Sequence, residues 1–229
     1  MAIGNSVNDE IREQHRKVLE EEGWKGRLKY FVHYYKWPVL IALFVIIFFG
    51  SSLYQVLSRK DTALQVLMVN GFPNVEAEEI MADFETTIEI NKDKEETLLD
   101  DSFYINTENP TMYDEQSAEK LFVMSSAGVV DVVLADEAYF LSMAETGFLL
   151  DLSTVLTDEQ IAEYSDRSFY YDSPNNYAEG EEWVGIEITS SPKIVDTQSY
   201  PNTKAYFCMI MNAPNVDNSL AFLEYLDTP

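Results

Sequence analysis

The sequence predicts an α/β protein: an N-terminal transmembrane helix, then one three-layer α/β domain built on a mainly parallel sheet. Three observations predict it. Trp37–Leu57 is a run of 21 residues without a charge, closed by Lys36 on one side and Arg59–Lys60 on the other. From residue 61 onward, strand-like and helix-like segments alternate, as parallel strands joined by crossover helices require. Two of the strand-like segments, ALQVLMVNG (63–71) and VVDVVLA (129–135), are almost continuously apolar, the pattern of strands covered on both faces.

The uncharged run comes first. At about 1.5 Å of rise per residue it is roughly 31 Å long, close to the hydrocarbon thickness of a bilayer. A buried helix in a soluble domain would be shorter and broken by polar residues. The lipid bilayer is therefore the first expected partner. The chain divides into a cytoplasmic juxtamembrane segment (1–36), the transmembrane helix (37–57) and an extracytoplasmic acidic domain (58–229). Lys25, Arg27, Lys29 and Lys36 precede the span and only Arg59 and Lys60 follow it, so the positive-inside rule places the N-terminus in the cytoplasm. A cleaved signal peptide fits poorly, because the apolar run is too long, begins late and ends in SSLYQ, a weak cleavage site. No cysteine lies near the span to carry a lipoprotein anchor. The expectation is an uncleaved signal anchor in a single-pass bacterial cell-membrane protein.

Charge narrows the partners. The net charge is −25, and residues 61–229 hold 34 Asp/Glu against six Lys/Arg. So acidic a surface repels nucleic acid and anionic lipid, and argues against a DNA or RNA role. The 169 residues of this region suffice for one core and not comfortably for two. Cys208 is the single cysteine, so no intramolecular disulfide forms.

Residues 7–34 read as one helix or two. Val7, Ile11, Val18, Leu19, Trp24, Leu28 and Phe31 recur at helical spacing, and Gly23 and Gly26 mark where it would break. WKGRLKYFVHYYKW interleaves aromatic and basic residues, as an interfacial anchor or a partner-binding helix would. Pro38 suits the first turn of the spanning helix. In the acidic region the first strand, 63–71, is followed by a helix capped by Asn74, with Val75, Ile80, Met81 and Phe84 inward. A polar loop, NKDKEETLLDD, leads to a strand at 102–106. The next helix spans about 114–126, with Ala118, Leu121, Phe122 and Met124 inward and Gly128 beyond its end. After the strand at 129–135, Asp136 is the expected cap and Gly147 the expected stop of a helix. Thr157 and Gln160 form a capping-box pattern. Residues 165–182 read as an exposed loop, 183–189 and 205–211 as strands, and VDNSLAFLEYL as the last helix.

Three segments resemble the extracellular solute-binding protein family. In DVVLADEAYFLSMAETGFLLDLSTVLTDEQ (131–160), an Asp-Val-Val strand precedes a helix that ends in a Gly-x-Leu-x-Asp-Leu turn, here Gly147, Leu149, Asp151 and Leu152. EGEEWVGIEIT is similar to the family's Asp-Gly-x-x-Tyr-Gly-Ile segment, and NAPNVDNSLAFLEYL to its late helix. About 15 residues separate the strands at 183–189 and 205–211, where the family inserts a whole second lobe. The resemblance therefore implies one reduced lobe, held by a transmembrane helix in place of a lipid-modified cysteine.

Chemistry is sparse. Both histidines, His15 and His33, precede the span, so the acidic domain has neither a Ser-His-Asp nor a Cys-His arrangement and no His-ligated zinc. Cys208, mid-strand in AYFCMIM, reads as a buried structural thiol. Asp93, Glu95, Glu96, Asp100 and Asp101 lack EF-hand spacing and read as a solvated loop. No cofactor and no metal are expected. In open α/β sheets ligands sit beyond the carboxyl ends of the strands. That rule selects Asn70, Gly71 and Phe72 after the first strand and Asp136 and Tyr139 after the third, with Trp183 as a further aromatic candidate. Each also has an ordinary structural role open to it: turn, cap or core. The expected function is a non-catalytic recognition module, accessory to or sensing for a membrane transporter or envelope complex. A receptor for a small solute is the alternative, and a carboxylate-dependent hydrolase the third.

Overall fold

A computed structural model of the chain describes residues 7–57, 59–175 and 180–229. The side chains of Val7, His15, Val18, Leu19, Arg27 and His33, and residues 176–179 of the expected loop, lie outside the described set. The chain forms two compact units, residues 1–59 and 60–229.

The first unit is helical. Helix α1 (Val7–Leu57) is interrupted at Gly23, whose φ of 56° and ψ of −137° are not helical. The break falls at one of the two expected glycines, because a positive φ is open to a residue without Cβ. Within α1, Tyr35–Tyr54 is a 20-residue stretch long and apolar enough to cross a membrane. Ile41, Phe44, Ile46 and Phe49 are exposed around it, as lipid-facing side chains would be and as those of a soluble core helix would not. Pro38 lies inside the helix rather than in its first turn, because the helix is already running before Trp37. Membrane-spanning helices accept such prolines more readily than soluble ones.

The second unit is α/β, with a mixed six-stranded sheet. Its elements in order are β1 (Asp61–Val69), α2 (Ala77–Phe84), β2 (Glu95–Phe103), α3 (Met112–Ser126), β3 (Val132–Asp136), α4 (Glu137–Ala144), α5 (Asp158–Tyr164), β4 (Ser168–Tyr171), β5 (Glu182–Glu187), α6 (Pro192–Asp196), β6 (Ala205–Met209) and α7 (Val216–Leu226). The strand order is β2-β1-β3-β6-β5-β4. β1 pairs in parallel with β2 and β3, whereas the β3–β6, β6–β5 and β5–β4 pairs are antiparallel. The expectation of a mainly parallel sheet is corrected accordingly. Apolar periodicity reports which face a side chain takes and not which way its strand runs.

The apolar strands pack as their continuity requires. Leu64, Val66 and Met68 of β1 join one cluster with Phe84 of α2 and Phe222 of α7. Leu67 and Val69 join a second with Leu121 of α3 and Phe140 of α4. Successive strand residues point to opposite faces, so β1 feeds both clusters. Cys208 lies fully buried in the second, its thiol donating to the Val133 carbonyl at 3.3 Å, and burial pushes its pKa up.

Several boundaries differ from expectation. β2 begins at Glu95, inside the segment expected to be a polar loop, and β4 lies inside the expected loop at 165–182. The extended Glu76 precedes α2, while the Asn74 amide donates to the Thr197 carbonyl at 2.8 Å. α3 starts earlier than expected, behind a Thr111–Asp114 capping box. Phe122 on that helix is exposed, not inward. The caps at Asp136 and Thr157, the left-handed Gly128 and Gly147 past their helices, and the limits of α7 stand as expected.

Candidate recognition cleft

The order of connections creates one crevice. From β1 the chain crosses to β2 at one side, then returns past β1 to β3 on the other. Segments leaving the carboxyl ends of β1 and β3 therefore diverge, and a cleft opens between them. It has a volume of about 460 Å³, is open to solvent, and is lined by Asn70, Phe72, Tyr104, Glu108, Asp114 and Asp136 among others.

Asn70 sits at the end of β1 with φ 56°, a left-handed conformation that asparagine tolerates better than most residues. Its side chain joins three strands. Oδ1 accepts from the Ile105 amide at 2.7 Å, and Nδ2 donates to the Ile105 carbonyl at 2.9 Å and to Asp136 Oδ1 at 3.0 Å. Both ends of the amide are thus used in holding the strand ends together. Asp136 Oδ1 also accepts from the Tyr139 amide at 3.3 Å, capping α4.

Gly71 is required by close approach. A Cβ there would collide with Met68 Cγ and lie 3.0 Å from Tyr200 Cζ. The Tyr200 hydroxyl donates to the Val69 carbonyl at 3.1 Å and fastens the same turn. The turn delivers Phe72 to the surface, where its ring stacks on Tyr104 with centroids 4.8 Å apart and planes 23° from parallel. Phe72 is 59% exposed and Tyr104 39%. The pair forms an apolar platform on the rim.

The opposite wall is a loop tied by its own side chains. Asn106 Oδ1 accepts from the Glu108 and Asn109 amides, each at 3.0 Å. Asp114 accepts from the Asn106 amide at 2.9 Å, the Thr111 amide at 2.8 Å and the Thr111 hydroxyl at 2.5 Å. The Thr111 hydroxyl, followed by those two amides, holds the Asp114 carboxyl down at about 2. An acid so depressed cannot donate a proton near neutrality.

Of the residues the sequence pointed to, Asn70, Phe72 and Asp136 meet in the cleft, with Gly71 buried beneath it. Tyr139 and Trp183 do not. Tyr139 is buried against Leu121 and Met143 between α3 and α4. Trp183 is buried in the cluster that holds Phe84 and Phe222, its indole N–H donating to the Gly185 carbonyl at 2.8 Å. Both aromatics are core, because their rings face the sheet's apolar clusters. The sequence does not single out Tyr104, Asn106, Glu108 or Asp114: the expected strand at 102–106 takes in Tyr104 and Asn106, Glu108 falls between elements, and Asp114 reads as the start of the next helix. The Thr111-x-x-Asp114 pattern was the available signal.

The acids of the cleft lining are Glu108, Asp114 and Asp136, and Asp114 and Asp136 already accept hydrogen bonds from within the protein. Glu182, raised by burial and by the charge of Asp151, lies outside that lining, and Asp151 already accepts from the Ser153 and Trp183 amides. Among the described residues no group of three or more His, Cys, Asp or Glu is placed to hold a metal ion. Among the described residues no Lys or Arg lines the cleft. No protein-family model, curated protein or solved structure matches this chain.

Proposed function

We propose that the chain is a membrane-anchored, extracytoplasmic recognition module, with its N-terminus in the cytoplasm and its acidic α/β unit outside, accessory to or sensing for a membrane transporter or envelope complex. The carrying observation is the Phe72–Tyr104 platform: two stacked, solvent-exposed rings on the rim of a cleft whose Asn70, Asn106 and Asp114 side chains are already bonded within the protein. Exposed aromatics of this kind anchor protein–protein contacts, while groups bonded internally offer little to a reacting substrate. The one-lobe likeness to solute-binding proteins agrees with this reading. Only the short α6 occupies the connection between β5 and β6, where a second lobe would enter.

A receptor for a small solute is the second reading. The cleft's volume of about 460 Å³ lies within the range of small-molecule sites.

Photo-crosslinking separates them. A benzophenone amino acid replaces Phe72 of the full-length chain in native membranes, with Glu78 on α2 as the reference position. A discrete adduct with a membrane protein from position 72 and none from 78 is the expected result. Absence of an adduct at 72, together with a melting temperature raised by a sugar, amino acid or peptide, would replace the module by the receptor.

A further inference from the structure

The flank of α4 that faces α3 holds a second, smaller cavity of about 210 Å³. Leu121, Phe122, Met143, Phe148 and Ile210 give it apolar walls, Ser142 and Thr146 add hydroxyls toward solvent, and among the described residues none that lines it is charged. Phe122, 52% exposed, meets Phe148 edge-on at 5.2 Å at its mouth.

Within these walls Ser125 is anomalous. It is only 3% exposed, and its hydroxyl is the single buried side-chain polar atom among the described residues with no hydrogen-bond partner. A helical serine commonly donates back to the preceding turn, as Ser219 does to the Asn215 carbonyl at 2.8 Å. Ser125 makes no such bond. The Tyr139 hydroxyl, in the same lining, also makes no hydrogen bond among the described residues, and burial raises its pKa. One buried unmatched hydroxyl, with the unbonded Tyr139 hydroxyl in the same mostly apolar, uncharged lining, specifies the missing partner's chemistry. Its body is apolar, it is neutral, and it carries one group that both donates and accepts. A cavity of about 150 Å³ holds benzene, so this one has room for a substituted ring.

We propose that the α3–α4 cavity is a binding site for a small neutral amphiphile of the phenol class, its hydroxyl meeting Ser125 and Tyr139 and its ring lying between Leu121 and Met143.

The test titrates 4-methylphenol into the full-length chain in lipid nanodiscs, with the methionine methyl groups ¹³C-labelled. Met143 lines the cavity and Met81, in the other apolar cluster, serves as reference. A saturable shift of Met143 with Met81 unmoved is expected. Toluene, the same shape without the hydroxyl, should bind about tenfold more weakly, the worth of one good hydrogen bond. Ser125→Ala should weaken 4-methylphenol by a similar factor while keeping the melting temperature, because the hydroxyl loses no partner. Absence of a saturable Met143 shift overturns the proposal, and so does equal affinity for toluene and 4-methylphenol. The two-probe comparison on the unaltered chain stands even where the variant does not fold.

Discussion

Asp131 is a buried carboxylate that faces no cation among the described residues, and its replacement by alanine should be among the most damaging single changes outside the apolar core. Oδ2 accepts from the Gln65 amide at 2.8 Å and from Asn215 Nδ2 at 3.1 Å, and Oδ1 accepts from the Asn215 amide at 2.8 Å. One side chain thus joins the middle of β1, the start of β3 and the cap of α7. Asp131→Ala strands two backbone N–H groups, each costing about 1–3 kcal/mol when left unpaired. The expected loss is about 2–6 kcal/mol, or about 2–4 °C of melting temperature per kcal/mol in a domain of this size. Asp131→Asn keeps one acceptor but turns an NH2 group toward a donor, so it should fall between wild type and alanine. Urea unfolding read by Trp183 fluorescence, with Trp24 and Trp37 replaced by Phe, measures both. Exposed Asp93→Ala should stay within about 0.5 kcal/mol of wild type. A loss under about 1 kcal/mol for Asp131→Ala would refute the reasoning, since water would then be serving both amides.

Gly185→Ala places a Cβ 2.5 Å from Phe140 Cζ, and that ring cannot retreat because it stacks on Tyr206 at 4.3 Å; overpacking should cost about 1–3 kcal/mol in a thermal melt. Asp114 has a carboxyl held at about 2 against an ordinary 3.8. The unfolded chain therefore takes up its proton first as pH falls, and the stabilisation is intact above pH 4 and lost between about 4 and 2. Urea midpoints from pH 5 to pH 2 should show this slope, and Asp114→Asn should flatten it. Phe72→Ala should leave the melting temperature unchanged, since the ring is exposed, yet abolish crosslinking from a probe placed at Tyr104.

The sequence carried most of what is buried. β1, β3, β5, β6 and α7 were legible because both faces of a central strand, or one face of a helix, must be apolar. β2 and β4 were not. Each has a single neighbour in the sheet, so EETLLDD and SFYY need no continuous apolar pattern. Strand direction was equally hidden, and the mixed sheet could not be inferred from periodicity. The cleft was half legible. The ends of β1 and β3 supplied Asn70, Phe72 and Asp136, but the facing loop depended on a helix whose start was expected at about Asp114, two residues after Met112. Tyr139 follows the carboxyl end of the third strand and Trp183 is an aromatic at the start of β5, yet the bulk of both fills the core. Ser125 gave no signal at all, because a serine in a helix is unremarkable until its missing partner is seen.

Cys208 turns the molecule into its own gauge. It is the chain's one cysteine, lies fully buried, and holds its thiol in the unreactive protonated form. A maleimide reagent can reach that sulfur only when β6 leaves the sheet. The fraction alkylated in a pulse therefore counts open molecules directly, inside intact cells, with no purification and no optical probe. Every substitution considered above could be ranked in living cells by the mass of one adduct.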